Sequence, residues 1–109
     1  MAKDWRIEAA RIWPELAAAA SARGTTTYGD LGARVGVAHR NLRLPLDIIA
    51  RHVQRIGLPP LTVVVVSGDT KRPGDGIVGS TAERLEEDLA RVYDRDWGAE
   101  KNPFAFFAP

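Results

Sequence analysis

The sequence predicts a small α+β domain, mainly helical, with one short β-hairpin. Three observations carry this expectation. Apolar residues recur at three- and four-residue spacings in four stretches, which is the helical period. A single β-branched run, Leu61 to Val66, follows a Pro-Pro break and reads as a buried strand. The 109 residues carry no repeat and no low-complexity linker, so one domain spans 1–109, with a core at about 4–78 and an added C-terminal part at 79–109.

The first helix is predicted from Asp4 to Ala22, because Trp5, Ala9, Ile12, Trp13 and Leu16 share one face and Ala17 to Ala20 favour helix. Pro14 falls inside that pattern and predicts a kink or a division. A short second helix opens at Thr27, an N-cap with Asp30 three residues on, buries Leu31 and Val35, and stops at Gly36. The third runs from about Leu42 to Ile56. Leu42, Leu46, Ile49, Val53 and Ile56 form its inward stripe, Asn41 its N-cap, and Pro45 lies in its first turn. Arg43, Asp47, Arg51, Gln54 and Arg55 lie off the stripe and face outward.

Leu58-Pro59-Pro60 ends that helix. Ile77-Val78 is the expected return strand of the hairpin, with Lys71 and Arg72 at its tip. A last helix is expected from Ser80 or Thr81 to about Tyr93, with Leu85, Leu89 and Val92 inward and Glu83 and Glu86 at the positive end of its dipole. Trp97, Phe104, Phe106 and Phe107 then load a short polar tail with aromatics, which predicts that the tail docks on the domain.

Composition narrows the chemistry. There is no cysteine, which excludes a disulfide scaffold, a thiolate metal site and a cysteine nucleophile. No apolar run approaches the ~18 residues of a membrane span, and a charged N-terminus leading into an amphipathic segment predicts a cytoplasmic protein. The net charge is only +1, yet it is polarised. Residues 23–72 hold eight Lys and Arg against three acidic residues, and residues 73–109 hold four against eight. A basic middle points to an anionic partner.

The two histidines, His39 and His52, are not at ligand spacing to each other or to a carboxylate, so neither a metal nor another cofactor is expected. The Ser67–Gly76 segment reads as a turn, having neither a Gly-Lys-Ser/Thr phosphate loop nor calcium-loop spacing. Glu83, Glu86, Glu87 and Asp88 read as a solvated helix face and not as paired catalytic acids. His39, Arg40 and Asn41 form a polar cluster ahead of the third helix. Arg and Asn there have the geometry to read base edges, although capping is the simpler role for Asn41.

Helix, short helix, tight glycine turn, longer basic helix and hairpin follow the order of a winged helix-turn-helix. Thr27-Tyr28-Gly29-Asp30-Leu31 with Val35-Gly36, and Leu58-Pro59-Pro60-Leu61-Thr62-Val63-Val64 downstream, resemble the DNA-binding domain of alkylguanine-DNA alkyltransferases and their alkyltransferase-like relatives. The resemblance covers about residues 7–78. The family's second stretch reads Ile-Pro-Cys-His-Arg-Val-Val, so Pro60 stands where the alkyl-accepting Cys would be and Leu61 where the His would be. Without a thiol there is no alkyl acceptor, and a leucine relays no proton. The relatives that lack the Cys carry Trp there, which Pro60 also is not. In the family an Arg of the second motif helix takes the place of a flipped base. Arg43, or else Arg40, matches it, but Leu44, Pro45, Leu46 and Ile48 replace the small residues of that helix.

The resemblance therefore implies non-enzymatic binding of double-stranded DNA without base flipping. The expected contacts are Tyr28, His39, Arg40, Asn41, Arg43, Arg51 and Arg55, with Lys71 and Arg72 from the wing. Two other functions fit the sequence: a protein-interaction module that regulates a DNA-processing machine through the acidic helix and aromatic tail, and a reader of modified DNA with a pocket above Pro59-Pro60.

Overall fold

The computed structural model describes residues 4–66, 80–81 and 83–107. Among these the fold is mainly helical, with a two-stranded parallel sheet. Helix α1 spans Arg6–Ser21, strand β1 Thr26–Thr27 and α2 Tyr28–Val35. A 3-10 turn, His39–Asn41, leads into α3, Arg43–Arg55. A second 3-10 turn, Leu61–Val64, feeds β2, Val65–Val66, and α4 spans Leu85–Asp94. Two more 3-10 turns, Trp97–Ala99 and Ala105–Phe107, build the C-terminal segment.

Helix α1 is the central element. It packs against α2, α3, α4 and three of the 3-10 turns. Its inner face buries Ala9, Ile12, Trp13, Leu16 and Ala20, and they meet Leu31 of α2, Leu42, Leu46, Ile49 and Val53 from the α3 region, and the run Leu61–Val65. The third-helix stripe read from the sequence is thus a core stripe, except at its last member. Ile56 lies just past the helix, before Gly57 at φ 78°, and is 54% exposed.

Pro14 does not divide α1, which is continuous from Arg6 to Ser21. A proline inside a helix has no N–H to give the carbonyl four residues earlier, here that of Ala10, and its ring crowds that carbonyl. The structure meets the need from elsewhere. Asn102 Nδ2 donates to the Ala10 carbonyl at 2.7 Å, while Asn102 Oδ1 accepts from the Phe104 backbone N–H at 2.9 Å. The proline's defect is the docking point of the tail.

The tail does dock. Trp97 and Phe104 are buried, Trp97 meets Trp13 edge-on with ring centroids 5.9 Å apart, and its indole N–H donates to the Val92 carbonyl at 2.7 Å. Phe104 lies 6.4 Å from Trp13 and 5.3 Å from the His52 ring. Phe106 stays 90% exposed.

Helix α2 starts and stops as its sequence dictates. Thr27 Oγ1 accepts from the Asp30 N–H at 3.1 Å, and Gly36 closes the helix at φ 73°, a left-handed conformation open to glycine. Three other local expectations are corrected. Asn41 does not cap α3: the 3-10 turn runs straight into the helix, Leu42 at φ −60°, ψ −30° is the N-cap residue, and it leaves no extended residue from which a side chain would cap. Leu61–Val66 is not one strand. β1 offers only two partners, Thr26 to Val65 and Thr27 to Val66, and the buried residues ahead of them close their own backbone bonds in a 3-10 turn, Val63 N–H to the Pro60 carbonyl among them. The last helix begins at Leu85 and not at Ser80 or Thr81, and the Ser80 hydroxyl donates to Asp88. The hairpin with Ile77-Val78 lies outside the described residues, as do its tip residues.

If Asn102 answers for Pro14, the two residues are coupled. Asn102→Ala is expected to cost about 1–3 kcal/mol in urea denaturation, the penalty of an orphaned buried carbonyl. In a Pro14→Ala background the substituted residue supplies its own N–H to the Ala10 carbonyl. There the Asn102 change costs less, and the cycle yields a coupling of at least ~0.5 kcal/mol. Strict additivity of the two changes would contradict the assignment.

Candidate nucleic-acid interface

The outer face of α3 follows from its inner one. With Leu46, Ile49, Ala50 and Val53 buried, Arg43, Asp47, Arg51, Gln54 and Arg55 fall within an arc of about 120° on the opposite side. All four of Arg43, Arg51, Gln54 and Arg55 are exposed. The sequence expectation of one outward basic face on this helix is met in geometry.

One pairing on this face was not read from the sequence. Arg51 Nε lies 2.8 Å from Asp47 Oδ2, one turn back, and both side chains are largely exposed. The i,i+4 spacing of Asp and Arg was the available signal. A solvent-exposed pair of this kind is worth about 0.2–1 kcal/mol, so an incoming anion of higher charge density can displace the carboxylate. Among the described residues Arg40 and Arg55 make no salt bridge.

The 3-10 turn His39–Asn41 packs against both α2 and α3 and extends this surface beyond the start of α3. It brings Tyr28 and His39 together: their rings stack almost parallel, 4° apart in plane with centroids 5.6 Å apart. Tyr28 is half-buried at the first position of α2, and His39 is exposed. Burial pushes the Tyr28 hydroxyl above its ordinary pKa, against the opposing charge of Arg43, so it stays protonated and able to donate at neutral pH. That electrostatic link ties Tyr28 to the first arginine of α3. Tyr28, His39, Arg40, Asn41 and Arg43 thus lie about the α2–α3 junction, and Arg51 and Arg55 continue the surface along the helix. Lys71 and Arg72 lie outside the described residues.

A recess of about 550 Å³ borders this surface on the side of Ala50, Val53 and Gln54 and reaches Leu58 and Pro60. Its far wall holds Ser80, Arg84, Asp88 and Arg91. Asp88 is buried, accepts the Ser80 hydroxyl, and has the guanidiniums of Arg91 at 3.5 Å and Arg84 at 3.8 Å. It is therefore not part of a solvated acidic face. The i,i+4 and i,i+3 arginines around it were the missed signal. Among the described residues no helix is long and apolar enough to cross a membrane.

No protein-family model, no curated protein and no solved structure matches this chain.

His52 sits at the other edge of α3, half-buried and edge-on to Phe104. Desolvation, and then the charge of Arg55, hold its pKa below the ordinary 6.5. The unfolded chain therefore takes up a proton first as pH falls, and stability declines as pH drops below 6.5 through the depressed folded value. Denaturant midpoints measured from about pH 7.5 to about pH 5.5 should fall, and His52→Gln should reduce that fall. An equal fall in the variant would assign the effect to other groups.

Proposed function

We propose that this chain is a non-enzymatic protein that binds double-stranded DNA through the outer face of α3 and the turn before it. The observation that carries the reading is the arc of Arg43, Arg51 and Arg55 on one helix face, with Arg40 ahead of it and Asp47 the one acidic residue of that arc. Arginines so placed neutralise phosphates and release counterions, whatever the sequence of the duplex. The order of α2, tight turn and α3, together with the Thr27–Leu31 segment, supports a helix-turn-helix of the alkyltransferase-like kind, and a wing at 67–79 would complete it. Pro60 and Leu61 argue for binding without alkyl transfer, since neither side chain offers a nucleophile or a proton relay.

Two other readings keep a narrower basis. A protein-interaction surface would rest on Phe106 and the exposed acids of α4, because Trp97 and Phe104 serve the core. A reader of modified bases would use the recess beside Leu58 and Pro60. Competition between plain and modified duplexes separates the latter from general binding.

The test is a fluorescence titration of a labelled duplex from about 50 mM to about 200 mM salt. Neutralising about four phosphates predicts a slope of log K against log salt near −3.6. Arg43→Glu with Arg51→Glu should abolish binding and leave the circular dichroism spectrum unchanged. Asp47→Asn, which frees Arg51 from its carboxylate, should tighten binding a few-fold. Absence of binding at low salt, or binding indifferent to salt, overturns the reading.

A further inference from the structure

The connection between α2 and α3 is anchored at both ends, since Val37 and Leu42 are buried members of the core. Between them Ala38, His39 and Arg40 are exposed. The N-cap residue of the 3-10 turn is Ala38, which has no polar side chain to cap with. The backbone bonds of the turn run from the Asn41 N–H to the Ala38 carbonyl at 2.8 Å and from the Leu42 N–H to the His39 carbonyl at 3.2 Å. Hydrogen bonds of the 3-10 kind are poorly aligned, so such a turn holds weakly by itself. A contact from α2 steadies it: the His39 ring lies almost parallel to that of Tyr28, with centroids 5.6 Å apart. Tyr28 packs against the core, so the stack carries the rigidity of the core out to an exposed turn. The base of the connection is as closely fitted, because a Cβ at Gly32 would lie 2.6 Å from the Val37 carbonyl oxygen.

We infer that Tyr28 and His39 are positioning residues: their stack holds the turn so that Arg40 meets a phosphate, and neither ring touches the DNA itself. This inference rests on the DNA-binding reading above and changes the part that two of its residues play. The argument is geometric. Offset-stacked rings attract one another beyond the area they bury, and each ring here gives one face to the other. Tyr28 is half-buried besides, so its ring is committed to the protein. Arg43, Arg51 and Arg55 take their order from α3, whereas Arg40 stands ahead of the helix and takes its order from the turn. It follows His39 directly, so any swing of the His39 backbone moves it. Binding costs the freedom of every group it immobilises, and a turn held in place beforehand lowers that cost. The stack therefore governs one phosphate contact and leaves those of α3 alone.

The test is a cycle of variants of the full chain, titrated with the labelled duplex over the same salt range. His39→Ala, at an exposed site, should weaken binding several-fold and flatten the slope of log K against log salt by about 0.9, the value of one phosphate contact, as Arg40→Gln does. The double variant should bind no more weakly than Arg40→Gln alone. Tyr28→Phe and His39→Phe remove the hydroxyl and the imidazole but keep two stacked rings, and both should bind like wild type. In the free protein, amide exchange at Asn41 and Leu42 should quicken in His39→Ala and not in His39→Phe. If either phenylalanine variant loses the binding that His39→Ala loses, the polar groups touch DNA directly and the positioning role is overturned. Additive losses in the cycle, or unchanged amide exchange in His39→Ala, overturn it as well, and in each of these cases the DNA-binding reading stands. If wild type binds no duplex at low salt, the reading fails and the positioning role with it.

Discussion

The hydrogen bond from Asn102 to the Ala10 carbonyl holds the two ends of the fold together. It exists because Pro14 leaves that carbonyl without its helical donor. A helix end or a surface loop would have offered the carbonyl to water. Here Ala10 is buried, at 4% exposure, so the orphan has to be met from within the protein. Asn102 does so with one amide group, and its own oxygen takes the Phe104 N–H, so the same side chain fixes where Phe104 enters the core. Trp97 and Phe104 then cover the face of Trp13, each aromatic contact adding about 0.5–1.5 kcal/mol beyond its buried area.

That arrangement determines what α3 has left to offer. Helix α1 and the tail together take up its inner stripe and one flank, where His52 meets Phe104. The other flank, at Ala50 and Gln54, borders the recess in front of Asp88. Only the arc from Arg43 to Arg55 remains for solvent. The basic surface is therefore not an independent feature laid over a fold. It is what remains of the helix after the core is satisfied, and its orientation is as fixed as the core itself.

The parts of this fold that were legible in the sequence are those set by local pattern. The spacing of Leu42, Leu46, Ile49 and Val53 gave both the helix and its buried side, and Thr27 and Gly36 bounded α2 through their own backbone chemistry. The misread parts are those decided by partners distant in the chain. Pro14 is tolerated because of a residue in the tail, and Leu61–Val64 is not strand because Thr26 and Thr27 supply only two pairing positions. Ser80 is tied to Asp88, eight residues on, ahead of a helix that starts only at Leu85. In the candidate interface the outward arginines followed from periodicity, while the Tyr28–His39 stack followed from a turn whose course no local rule predicts.

The chain's polarised charge acquires a structural sense at these two helices. In the basic middle the arginines of α3 outnumber their nearby carboxylates, and Arg51 is held by Asp47 in a pair exposed enough to exchange. In the acidic part the pairing is internal: Asp88 is buried, and Arg84 and Arg91 converge on it. The buried Asp88 carboxylate has lost its water and depends on these partners, whereas opening the exposed pair on α3 strands no buried charge. So the two halves differ in kind as well as in sign. Arg84 and Arg91 share the buried Asp88, whereas among the described residues Arg40 and Arg55 of the α3 region make no salt bridge.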